Sequence, residues 1–273
     1  MYTCRYALVV EYVGTDFHGS QIQPDTRTVQ EEIQKALTIY FKAPVKTVFS
    51  GRTDAGVHAK GQVLHFDIKN NDVDSNRFLY AINSILPDDI SVSEIVEVNR
   101  SFHAQKSAAY RWYRYTIANR KYKNAFDSRI LHERTKLDID LINQALDSLT
   151  GEHDFSSFCS LKTSNPNKVC KLYYAKAHKD GDYIYIDLVA NRFLYNMVRI
   201  IAGMILEIGR NKLTPQFAYE LLISKNRTKA PKTASANALT LEFVGYKNKG
   251  FDNVVFNKTT LSEQLKDTQH AKK

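Results

Sequence analysis

The chain has 273 residues, a formal net charge of +9, 43% hydrophobic residues, sixteen tyrosines, fourteen phenylalanines and three cysteines. That is enough apolar material for one large domain or two modest ones. Three cysteines without a CxxC pair exclude a disulfide framework and fit a reducing, cytoplasmic setting, and no apolar run approaches the length that would cross a bilayer.

Residues 5–12 read as a strand, and their apolar run 7–10 stops at Glu11, too short for a signal peptide. A polar, turn-rich stretch follows. The spacing of Ile33, Ala36, Leu37 and Tyr40 then predicts a helix over 29–41, with Thr28 as N-cap and Glu31 completing a capping box. Strands are expected at 45–50 and 62–68, the latter alternating Leu64, Phe66 and Ile68 with Val63, His65 and Asp67. A helix from about Asp74 to before Pro87 and a strand at 90–98 complete the order strand, helix, strand, strand, helix, strand. That order is the split βαβ pattern of ferredoxin-like and RNA-recognition folds.

The second half runs through a strand at 107–118, a helix at 138–149, strands at 170–178 and 183–189, helices at 193–208 and 215–223, and a strand at 239–246. Its elements recur in broadly the order of the first half. The expected organisation is therefore α+β, with a unit of residues 1–104 and a second of 105–246. A lysine-rich, flexible basic tail of 247–273 follows.

Cations neutralise phosphates and aromatic faces stack on bases, so a basic chain rich in Tyr and Phe tilts toward a nucleic-acid partner. The stretch SAAYRWYRYTI from Ser107 sharpens this. Strand alternation puts Arg111, Tyr113, Tyr115 and Ile117 on one face and Tyr110, Trp112, Arg114 and Thr116 on the other, so each face could stack and neutralise.

Between the strand ending at Ser50 and the one beginning at Gln62 lie eleven residues, far more than a hairpin needs. Gly51 and Gly56 let the backbone fold tightly and present Asp54 at the tip. Taken alone, Asp54 reads as an Asx-turn residue and Arg52 as a solvated side chain. A metal site built from His58, His65, Asp67 and His103 lacks the paired spacing of zinc ligands, and the GxxxxGK[ST] phosphate loop is missing. No cofactor motif is present.

The segment GRTDAGVHAKGQVLHF from Gly51 closely resembles the signature of the TruA family of tRNA pseudouridine synthases. The resemblance implies that Asp54 is the catalytic carboxylate. The run R-W-Y-R-Y from Arg111 is similar to the family's R-x-Y-R-Y segment, which makes Tyr113 the residue lying against the target base. NRFLYNMVRIIAGMILEIG from Asn191 is similar to the segment whose arginine pairs with the aspartate, which makes Arg199 that partner. From residues alone, Arg192, Asn196, Arg199 and Gly203 would be a polar stripe on a solvated helix face. RTVQEEIQKAL from Arg27, FHA at 102–104 and GEHDFSSF from Gly151 extend the match across residues 6–246. The sequence departs from the family pattern at Val13, Ser20 and Gln105.

What the resemblance implies is two ferredoxin-like halves with antiparallel sheets and a catalytic cleft between them, forming a cofactor-free, metal-free isomerase, a homodimer holding tRNA across both subunits and modifying uridines at positions 38 to 40 of the anticodon stem-loop. Arg111, Arg52 and His58 would contact the RNA, the last two filling the space the flipped nucleotide leaves or touching its backbone. An Asp54–Arg199 pair at about 4 Å is worth about 4 kcal/mol before desolvation is set against it. Asp54 could attack C1′, add to C6 of the base, or remove the C2′ proton. Two rival readings are a non-catalytic RNA-binding protein and a metal-dependent phosphodiesterase using the histidines.

Overall fold

The first half follows its sequence pattern closely in the computed structural model, which describes residues 3–69, 73–123, 125–163 and 166–246. β1 (Thr3–Tyr12), α1 (Val29–Phe41), β2 (Thr47–Phe49), β3 (His58–Lys69), α2 (Ser75–Ile85) and β4 (Ile90–Val98) succeed one another. The strands lie in the order β4-β1-β3-β2 and every neighbouring pair is antiparallel. Thr28 caps α1, its hydroxyl accepting the Glu31 N–H at 3.4 Å, and Asp74 caps α2 by accepting from Arg77 N–H at 2.8 Å. Each cap satisfies an amide that the helix itself leaves unpaired. The apolar stripes of the two helices, with Ile33, Leu37, Phe78 and Ile82 fully buried, form one core with Leu8, Leu64 and Phe66.

The second half comprises β5 (Ala108–Asn119), β6 (Leu131–Glu133), α3 (Ile139–Asp147), β7 (Gly151–Asp154), β8 (Val169–Asp180), β9 (Tyr183–Ala190), α4 (Met197–Gly209), α5 (Gln216–Ser224) and β10 (Leu239–Tyr246). Its strands are ordered β10-β5-β9-β8, antiparallel throughout. Setting aside β7 at the outer edge and β6 beside β5, this repeats the strand order of the first half. The likeness between the halves thus extends from element order to sheet topology.

Two features differ from the sequence reading. Thr240 and Leu241 of β10 pair in parallel with His58 and Ala59 of β3, so ten strands form one continuous sheet through both halves. This pairing, together with that of Ala59 opposite Tyr12, draws β3 back to His58 and shortens the long loop to residues 50–57. Secondly, α4 begins at Met197 and not near Phe193, because Asn196 has a left-handed φ of 64°. Arg192 and Asn196 therefore precede the helix, and the polar stripe does not form. From Met197 to Gly209 every residue but Arg199 and Glu207 is buried, so α4 is a core helix with no solvated face. The expected tail of 247–273 lies outside the described residues.

His65 shows what burial in this sheet costs a titratable group. It is 4% exposed, with Nδ1 accepting from the Ala104 N–H at 3.1 Å. Burial, and then the Arg5 charge, push its pKa from 6.5 down to about 4. A depressed histidine contributes stability that is complete above its unfolded pKa and is lost as pH falls toward the folded value. Urea unfolding should show about 2–3 kcal/mol lost between pH 6.5 and 4 from this group. His65→Gln should flatten that window; an unchanged slope would remove His65 from the account.

Candidate active site

The loop 50–57 is built to hold one peptide still. Ser50 N–H donates to Val63 O at 2.7 Å, and the Gln62 side chain accepts from Ser50 Oγ at 2.6 Å while donating to Gly51 O at 3.2 Å. Thr53 is fastened on three sides. Its N–H donates to Ser20 Oγ at 2.8 Å, its carbonyl accepts from Ser20 N–H at 3.1 Å, and its hydroxyl shares a hydrogen bond with Tyr12 at 2.8 Å. Gly56, at φ +80°, reverses the chain so that Val57 N–H reaches Asp54 O at 3.1 Å. Ser20 is thus a working part of the site. A tryptophan at this position has no side-chain oxygen to accept the Thr53 N–H.

The opposing group comes from the second half. Arg199, in the first turn of α4, donates from Nη1 to Asp54 Oδ2 at 3.3 Å, with the two side chains 21% and 19% exposed. The same Nη1 donates to Asn196 Oδ1 at 3.1 Å, and Nε donates to Ala234 O at 2.9 Å. Ala234 N–H in turn donates to Arg199 O at 3.0 Å, so one residue of the 232–234 segment grips the arginine at both its side chain and its backbone. Gly203 makes that approach possible: a Cβ there would lie 2.1 Å from Lys232 O.

Burial is the larger influence on Asp54 and raises its pKa, with the charge and hydrogen bond of Arg199 opposing. The site makes a more basic carboxylate than a free aspartate, oriented by a cation that recovers only part of the desolvation penalty.

Tyr113 lies where the two cores meet, its ring edge-on to Phe193 at 5.1 Å and packed against both apolar clusters. Burial raises its hydroxyl pKa, and the nearby Tyr12 and Asp54 raise it further. The site thus brings together Asp54, Arg199 and Tyr113. Arg52 is exposed two residues before Asp54.

The other expected RNA contacts are placed differently. His58 is 4% exposed; its Nδ1 accepts from Gly14 N–H at 2.9 Å, so Nε2 carries the proton it gives to Asn237 O at 3.0 Å. Both ring nitrogens are occupied, and burial lowers the pKa. Arg111 donates to the carbonyls of Ala108, Asn191, Ser50 and Gln105 at 3.3, 2.8, 2.8 and 3.0 Å, tying the Asp54 loop to β5 and to the end of β9. On the far face of β5, Arg114 is committed to Asp187 by two bonds of 2.8 and 2.9 Å, and Trp112 Nε1 donates to the same carboxylate at 2.7 Å. Arg111→Ala would leave those carbonyls unpaired and should cost about 2–4 kcal/mol in urea unfolding. Wild-type stability in that variant would show that water replaces the guanidinium without loss.

Sequence reasoning missed Ser20, Gln62 and Ala234. Ser20 carried a signal as a departure from the family pattern; Gln62 and Ala234 act through contacts that only the folded chain creates.

Comparison with known proteins places the chain in a family. Residues 8–105 and 145–247 match a family model described as tRNA pseudouridine synthase. The tRNA pseudouridine synthase A of Brevibacillus brevis is 44% identical over 243 residues, covering 89% of this chain and 99% of its own length. That of Aliivibrio salmonicida is 41% identical over 243 residues, covering 89% and 92%. Among solved structures, a chain of a Cbf5-Nop10-Gar1 complex aligns over 88% of this chain and 59% of its own length, with a TM-score of 0.34 and 11% identity. With a family model matching most of its length and relatives above 40% identity over 89% of it, the chain belongs to the TruA family of tRNA pseudouridine synthases.

Proposed function

We propose that Asp54 is the carboxylate with which this tRNA pseudouridine synthase isomerises uridine, and that its targets are uridines at positions 38 to 40 of the anticodon stem-loop. The observation that carries the reading is the meeting of Asp54 and Arg199 at 3.3 Å from opposite halves of the chain. A carboxylate aimed by so many loop contacts, and kept partly buried despite the desolvation this costs, is poorly explained by binding alone.

The reaction breaks the N1–C1′ bond, turns the uracil and joins C5 to C1′, the C5 hydrogen leaving as a proton while the freed N1 takes one up. Atoms and electrons balance without an oxidant or reductant. The nucleotide leaves its stack at a cost of a few kcal/mol, which the Tyr113 ring offsets by packing against the base. Asp54 acts as nucleophile or base, and its raised pKa strengthens it in either part. Arg52 is the exposed cation beside the site and contacts the RNA backbone. His58 and Arg111 serve as framework, and the two halves divide near residues 104 and 105. A homodimer holding tRNA across both subunits belongs to the same reading and is checked by sedimentation.

The test uses tRNA transcript tritiated at uracil C5, incubated with purified protein in chelator-treated buffer. Tritium should appear in water, and carbodiimide-dependent reverse-transcription stops should map to positions 38 to 40. Tight binding without release would favour the non-catalytic RNA-binding reading, and chelator-sensitive strand cutting would favour a phosphodiesterase.

A further inference from the structure

The residue that opens α4 is in a conformation from which helices seldom start. Thr28, Asp74 and Asp138, which precede α1, α2 and α3, have negative φ, and each side chain accepts first-turn N–H groups. Asn196 has φ 64°, and its side chain caps nothing. Lys42 and Lys225, also at positive φ, stand after helices, where the left-handed conformation is ordinary. At a helix start it is a strained choice, of the kind that collects at functional sites.

The strain frees the side chain for Arg199. Oδ1 accepts from the Nη1 that also donates to Asp54, at 3.1 and 3.3 Å. A guanidinium offers donors only, so the orientation of the amide is fixed: its oxygen must face Arg199 and its nitrogen must face away. Among the described residues Nδ2 has no hydrogen-bond partner. An unspent donor therefore stands one hydrogen bond removed from the Asp54–Arg199 pair.

We propose that Asn196 Nδ2 donates to an exocyclic oxygen of the target base, O2 or O4, and holds the uracil while its bond to the sugar is absent. This rests on the reading of Asp54 as the acting carboxylate. Detached uracil carries charge delocalised onto those oxygens, so a donor aimed there is stronger in the intermediate than in the bound nucleotide. Tyr113 restrains the face of the ring and Asn196 its edge.

The test begins with wild-type conversion of unmodified transcript; failure there overturns the functional reading and leaves nothing to assign to Asn196. With conversion established, Asn196→Gly keeps the positive φ and removes the amide, and Asn196→Asp keeps the oxygen for Arg199 and removes the donor. Both should lose about 10–100-fold in kcat with tRNA affinity within about twofold. Transcripts with 2-thiouridine or 4-thiouridine at the target place a poor sulfur acceptor at one position or the other. Sulfur at the contacted position should slow the wild type and add no further loss in Asn196→Gly. Wild-type kcat in Asn196→Asp would show that the residue only holds Arg199 and would overturn the proposal. So would losses that multiply at both sulfur positions.

Discussion

Asp54→Asn is expected to abolish tritium release, by at least about 10⁴-fold, while leaving tRNA affinity within a fewfold of wild type. The substitution keeps the shape and a hydrogen-bond acceptor for Arg199, so the loop contacts through Ser20, Gln62 and Tyr12 are untouched. Stability should move the opposite way. Because burial raises the Asp54 pKa above its unfolded value, the native state is relatively more stable with the group protonated, and that advantage is lost as pH rises through the folded pKa. The asparagine variant should therefore unfold at higher urea than wild type near neutrality, and the difference should close on acidification. The same shift places the acid limb of kcat/KM above the ordinary aspartate value of about 3.9. An active Asp54→Asn protein would end the assignment; an inactive but less stable one would mean that Arg199 outweighs desolvation after all.

Gly203→Ala is the second large effect, and it acts without touching substrate. Its Cβ would sit 2.1 Å from Lys232 O, a backbone atom, so α4 or the 232–234 segment must shift by more than 1 Å to reach ordinary contact. Ala234 on that segment holds Arg199 through two hydrogen bonds of 2.9 and 3.0 Å. Overpacking should cost about 1–3 kcal/mol of stability, and displacement of the arginine by this amount should lower kcat on the order of 10²-fold. Full activity with an unchanged melting temperature would show that the segment yields freely and that Arg199 is positioned by Asp54 and Asn196 alone.

The parts of this fold that sequence made legible are those whose information is local. Thr28 and Glu31 announce α1, and β4 and β10 are bounded as the apolar pattern predicts. The start of β3 was hidden because it depends on β10, far along the chain at the His58–Thr240 pairing. The start of α4 was hidden because NRFLY has helical spacing, and only the left-handed φ of Asn196 stops it. At the site, Asp54, Tyr113 and Arg199 were found through resemblance to a family, since periodicity alone would have left Arg199 on a solvated face. His58 and Arg111 carried the residue types of RNA contacts, and nothing in their sequence neighbours shows that backbone atoms already occupy them.

β10 also sets a schedule. It closes the sheet between β3 and β5, and the segment just before it supplies the carbonyls of Ala234 and Asn237 that hold Arg199 and His58. A nascent chain that has emerged only through α5 already owns Asp54, Tyr113 and Arg199, yet lacks the contacts that set two of them facing each other. Synthesis thus delivers these side chains early and the backbone contacts that position them late.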